Sequence, residues 1–169
     1  MSDYPWYKMV EGPDLEQGDL FEKLLFFTPR DEDPSKVEII ERDVIVMTQS
    51  SDIIERKVDH LIFCPIYQLE PYSTEVDSSL QKPDKRNTIV KGRVVQMYML
   101  NRCELPGYER DFWLVNFSRI LEMSALKVIN HARECGPRPR LLPPYREHLA
   151  QAFARFFMRI GLPEDIPSF

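Results

Sequence analysis

Proline cuts this chain into short pieces. Fourteen prolines stand against six glycines in 169 residues, and each proline fixes φ and removes a backbone donor. A chain punctuated this way predicts many short elements on stiff connections rather than long helices or flexible linkers. Its length fits one domain over residues 1–169, and an apolar fraction of 43% with 11% aromatics is ample for a core.

The elements predicted between the breakers are mostly strands. Asp19–Phe27 reads as a first strand with a bend, followed by an acidic, proline-bounded loop over 28–36. Val37–Ile40 is a short β-branched run. Asp43–Thr48 is apolar on both faces, the mark of a central strand. Gln49–Asp52 is small and polar and ends it. Asp59–Leu69 is the next strand, and Pro65 inside it predicts an edge or a bulge because proline cannot donate to a ladder. Residues 70–88 are polar and read as an inserted loop or short helical excursion. Ile89–Asn101 resumes β character, with Lys91-Gly92 as a bulge. Leu105-Pro106-Gly107-Tyr108 carries proline and glycine in the type II turn arrangement, and Asp111–Phe117 is the returning strand.

Two helices follow. Ser124–Ala132 is short and ends near Gly136-Pro137. The second begins after Pro143-Pro144 and runs from Tyr145 to Ile160, with Leu149, Phe153, Phe156, Phe157 and Ile160 on one face. That stripe predicts core packing. The fold class is therefore mainly β with helices (α+β): a small SH3-like barrel over about 17–120, closed by a C-terminal amphipathic helix within a helical part over about 123–162.

Charge is unevenly spread. Residues 1–84 carry 8 basic and 19 acidic groups, and residues 85–169 carry 14 basic and 8 acidic, eleven of the 14 being arginine. A basic half fits a polyanion partner. It fits equally well two halves that attract one another, or arginines that pair locally. On the flank of the last helix His148, Gln151, Arg155 and Arg159 fall within roughly 80° of one another, a register that suits a phosphate or a partner's carboxylates, or else an ordinary solvated flank. A strand-end cluster of Arg42 before the central strand, and Thr48, Gln49, Ser50, Ser51 and Asp52 after it, suits a binding rim; the alternative is a turn capped by Ser51 or Asp52.

Several chemistries lack their residues. There is no glycine-rich phosphate loop, no nucleophile elbow, and His60, His131 and His148 are far apart with no metal-ligand spacing. Cys64, Cys103 and Cys135 are odd in number and widely spaced, which predicts idle thiols in a reducing compartment. No metal and no cofactor is expected. No apolar run reaches the roughly 18 residues of a membrane span, and the acidic N-terminus is unlike a signal peptide. The expectation is a cytoplasmic protein without a membrane partner.

The order of these pieces resembles the PemK/MazF toxins, small barrel ribonucleases of bacterial toxin–antitoxin pairs. Gln17-Gly18-Asp19-Leu20 is similar to their opening, Arg42–Gln49 to their arginine-led strand, His60–Gln68 to the strand after it, Trp113–Ile120 to a late strand, and Pro143–Leu162 to the closing helix. A nearer resemblance is to uncharacterised bacterial and phage proteins that share the Thr48–Asp52 and Pro143–Phe157 segments, often with cysteine where Ser51 stands here.

The resemblance implies metal-independent RNA cleavage by 2′-hydroxyl attack. Proton transfer and a cation on the phosphorane carry such a step. Arg42 matches the family's arginine, and Tyr67 falls where the family has threonine. Asp43 replaces the family's proline and sets a negative charge beside that arginine. Two readings follow. The first is a binding module for a protein partner in a toxin–antitoxin-like or phage-defence setting, using the 28–36 and 70–88 surfaces. The alternative is an endoribonuclease taking single-stranded RNA, with Arg42 and Tyr67 catalytic and Arg93, Arg119 and the last helix binding. The resemblance also implies a homodimer. A nuclease requires Arg42 in an arginine-lined groove, not one walled by Asp43, Asp52 and Asp59.

Overall fold

The computed structural model describes residues 4–158. Among the described residues eight strands and five α-helices follow one another, strands first and the longest helix last. β2 (Leu20–Pro29) and β3 (Val37–Val46) form a hairpin arm. β4 (His60–Gln68), β5 (Met97–Leu100), β6 (Trp113–Asn116) and β7 (Leu121–Ser124) complete a six-stranded sheet of order β2-β3-β4-β6-β5, with β7 beside β4. All its pairings are antiparallel. β1 (Tyr7–Val10) and β8 (Arg138–Leu141) form a separate ribbon.

The ribbon meets the sheet at one point. The Leu141 N–H donates to the Gly18 carbonyl at 2.9 Å, and Asp19 bridges Arg140. Among the described residues no backbone pairing joins β1 to β5, so the expected closed barrel is corrected to an open α+β sheet. Proximity on that side is left to the Tyr7 hydroxyl, which donates to the Asn101 carbonyl at 2.7 Å.

The central strand behaves as its composition predicts. Ile45 and Met47 enter one core with Leu20, Cys64, Ile66 and Trp113, while Val44 and Val46 enter another with Phe21, Leu61 and Phe63. Alternate side chains of a strand point to opposite faces, so the Val44–Met47 run needs apolar residues at every position. The first core is covered by α5 (Tyr145–Phe157) through Leu149, Phe153 and Phe156. The second is covered by α4 (Ala125–Glu134) through Val128 and Ala132. Phe157, expected in the stripe, is 52% exposed, and Ile160 lies outside the described residues.

Several expectations change. Val37–Ile40 and Asp43–Thr48 are one strand, because Glu41-Arg42-Asp43 continues the arm on its solvent side. The bend in the first strand is a register shift between Phe21 and Leu24, with Lys23 at φ 55°. Pro65 lies on an internal strand, where β4 exchanges β7, paired through Phe63, for β6, paired from Ile66. A residue without an N–H fits that changeover. Residues 70–88 are a helical excursion: α2 (Leu69–Glu75), a 3₁₀ turn (Ser78–Gln81) and α3 (Pro83–Val90). It packs through Leu69, Leu80 and Ile89 on Leu114. Gly92 is not a bulge but the stop of α3. At φ 66° it donates to Ile89, and Arg93 donates to Thr88, the paired bonds of a Schellman ending. The Leu105–Tyr108 turn is as expected, with Gly107 at φ 80° and the Tyr108 N–H donating to Leu105.

The basic half turns out to bind the acidic half. Arg138 and Arg140, both nearly buried, converge on the fully buried Asp19. Arg138 donates to Asp19 at 2.9 and 3.0 Å and to the carbonyls of Gly12 and Asp14. Arg140 donates to Asp19, Glu16 and the Asp14 carbonyl. Burial works against the Arg140 charge, but the bonds to Asp19 and the nearby carboxylates outweigh it and raise its pKa. Arg146 holds Glu16, and Arg110 holds Glu22. The Gly-Asp motif is thus a structural junction. At Gly18, φ 89°, a Cβ would lie 3.0 Å from the Leu141 Cβ.

The thiols divide by depth. Cys64 and Cys103 are buried and Cys135 is exposed, and burial pushes the Cys64 thiol up to about 12. Reactivity follows the exposed thiolate. A thiol reagent is therefore expected to modify Cys135 alone in the native protein and all three cysteines in denaturant, read by mass spectrometry. Rapid native labelling of Cys64 would contradict this core.

Candidate functional site

Arg42 and Tyr67 line one groove of about 390 Å³. The reason is topological: Arg42 lies mid-arm opposite Leu24, and Tyr67 near the end of β4 opposite Leu114. The Arg42 guanidinium donates to the Glu41 carbonyl at 2.8 Å. Among the described residues it is the sole cation lining the groove, beside Glu41, Asp43 and Glu75. Tyr67 sits 5.1 Å from the Tyr72 ring. Burial raises the Tyr72 pKa, with Tyr67 and Asp77 adding to it and Arg119 opposing, which puts Arg119 within electrostatic reach of the groove.

Asp43 walls the groove as feared; Asp52 and Asp59 do not line it. Burial, then Glu22 and Glu41, raise the Asp43 pKa, while the Lys23 N–H, donating to it at 2.9 Å, holds it down. A carboxyl raised on folding favours the folded state most below its unfolded value of 3.8, and stability is lost as pH rises through the folded pKa. Asp43→Asn keeps an acceptor for Lys23 and is expected to gain about 0.5 kcal/mol at pH 7, a figure discounted for solvent screening. In urea titrations the gain should vanish below pH 3.8. An equal gain at both pH values would remove the charge from the explanation.

The strand-end cluster does not assemble. Arg42 and Thr48 are six residues apart along an extended strand, roughly 20 Å. Thr48 is buried and its Oγ1 accepts the Ile62 N–H at 2.7 Å. Gln49 caps α1 (Ser50–Ile54) without a side-chain bond, and Ser51 and Asp52 lie in that helix. The segment is a helical turn whose start carries no side-chain cap, and the Ser50 Oγ instead accepts the N–H of the distant Gln17.

The flank of α5 lines a groove. His148, Gln151 and Arg155 border about 300 Å³ with Lys91 and Tyr98, and among the described residues no acidic one lines it. Arg93 is exposed and does not line it. Arg159 lies outside the described residues. Lys91 went unread because it was assigned to a strand, although Gly92 after an apolar pair is a helix-stop signal.

A third groove, about 410 Å³, lies between β2 and β7 beside α4, and nothing in the sequence signals that its residues gather there. Lys23, His60, Lys127 and His131 line it, with Glu122 as the single acid among the described residues. Among the described residues no three histidines, cysteines or carboxylates gather at metal-binding distance, and no helix is long and apolar enough to cross a membrane. No family model, no curated protein and no solved structure matches this chain.

Proposed function

We propose that this chain is a protein-binding module, not a catalyst, of the kind that works in toxin–antitoxin-like or phage-defence systems. The observation that carries the reading is the solvent face of the hairpin arm. Phe27 and Ile39 stand opposite one another in the register, 62% and 60% exposed, with Leu25 and Val37 on the same face at 47% and 58%. Exposed apolar residues scattered singly are ordinary, but a contiguous patch on one rigid element marks an interaction surface. The test is affinity capture from cell extract with the intact chain and with a Phe27→Ser, Ile39→Ser variant of unchanged circular dichroism. A protein retained by the first and lost by the second supports the module. Identical captures overturn it.

The shared groove of Arg42 and Tyr67 keeps a second reading in play: a metal-independent endoribonuclease acting on single-stranded RNA. Three carboxylates lining the groove with one guanidinium oppose it, since phosphate and carboxylate compete for the same cation. Purified protein incubated with cellular RNA in EDTA is expected to leave it intact. Cleavage that disappears in Arg42→Ala would reverse the order of the two readings.

A further inference from the structure

The arm's outer edge is more specific than its face. The Arg30 N–H donates to the Lys36 carbonyl, and antiparallel ladders alternate. The backbone groups of Leu24, Phe26 and Thr28 therefore point to β3, and those of Leu25 and Phe27 point away from it. On that side β2 has no strand neighbour among the described residues beyond the Asp19–Arg140 bridge. The same alternation holds across the groove. The Ala125 N–H donates to Asp59, so the outward N–H groups of β7 belong to Glu122 and Ser124, residues that line the groove with Leu25 and Phe27. Two strand edges thus open into one cleft.

An unpaired edge is a template for another chain, and proteins guard such edges with bulges, lysines and prolines. Here Lys23 at its bulge and Pro29 guard the two ends, leaving the stretch between them open. Among the described residues the side chains that line the opening give its electrostatic sign, Lys23 and Lys127 against Glu122, while burial lowers the pKa of His131 and holds that ring toward its neutral form.

We propose that this cleft takes an acidic segment of a partner protein in extended conformation, added as a strand along the outer edge of β2. Main-chain hydrogen bonds to Leu25 and Phe27 supply the affinity, as in other strand-addition complexes. The lysines receive the carboxylates and set the choice of partner. The proposal rests on the binding-module reading and gives that partner a chemistry.

The probe is a fluorescent peptide alternating valine and glutamate, titrated onto the full chain by anisotropy beside its valine–lysine counterpart. The glutamate peptide is expected to bind at least about tenfold more tightly at low salt, and a Lys23→Glu, Lys127→Glu variant to reverse the preference. Equal binding of the two peptides overturns the proposal. Phe27→Pro removes an outward N–H without touching the β3 ladder and should weaken binding while circular dichroism stays unchanged. Should that variant misfold, N-methylation of alternate peptide amides decides the matter. One methylated series must lose binding and the other keep it; equal behaviour of both overturns strand addition. Loss of the acidic preference while Phe27 and Ile39 still govern capture would refute this site and leave the binding module standing.

Discussion

Replacing Asp19 with alanine is expected to cost about 3–5 kcal/mol of folding stability, because it leaves two buried guanidiniums without their shared anion. Arg138 and Arg140 are 3% and 5% exposed, and Asp19 is fully buried between them. Water cannot take over the lost carboxylate, and the carbonyls of Gly12 and Asp14 provide dipoles, not charge. Domains of this size are stable by only about 5–15 kcal/mol, so the variant should lose a large share of its stability. Urea denaturation at pH 7 reads the loss directly. Asp19→Asn, which keeps the shape and removes the charge, should fall between the two. A loss below about 1 kcal/mol for the alanine variant would mean that Glu16 swings in to replace Asp19 and that the junction tolerates its removal.

Phe63→Ala is the second large effect, at about 3–5 kcal/mol. Phe63 is wholly buried, lies opposite Val46 on one side and Leu121 on the other, and meets the Phe26 ring edge-on at 5.8 Å. It is the residue through which the arm, the central strands and α4 share one core. Removing its ring opens a cavity that three elements would have to collapse together. Phe27→Ala, one position along from Phe26 and 62% exposed, should change stability by less than about 0.5 kcal/mol. The contrast between the two phenylalanines, measured by urea midpoint at constant slope, checks the facing of the arm. Equal losses would place Phe27 in the core and dissolve the apolar face that the binding reading needs.

Much of the sheet was legible because its signals are local. The doubly apolar Val44–Met47 run, the Leu105–Tyr108 turn and the periodic apolar face of α5 each declare themselves within a few residues. β1 and β8 did not. Arg138–Leu141 carries two arginines and a proline in four residues, and only the distant Asp19 makes such a segment buriable. The closed barrel was inferred from element order. Order does not say whether the first and last strands pair, and among the described residues the ribbon's backbone pairs with the sheet side at Gly18–Asp19 alone.

The candidate sites divide in the same way. His148, Gln151 and Arg155 came together because helical spacing is readable, and Arg42 met Tyr67 because the order of two adjacent strands was right. Thr48 misled because a polar residue at a strand end looks the same whether it greets a ligand or the neighbouring backbone. The cleft between β2 and β7 was invisible in sequence, since an unpaired edge is a property of pairing and not of any residue.

The junction at Asp19 also dictates when the protein can finish folding as it is made. Its arginine partners follow it by 119 and 121 residues. At synthesis rates of about 5–20 residues per second, the aspartate waits on the order of ten seconds for its counter-charges. Until then the β2–β3 arm exists without the ribbon that ties it down, and its outer edge is at its most exposed to other chains. The strand β8, which carries both arginines, is therefore the clasp that closes this fold well after the arm has been made.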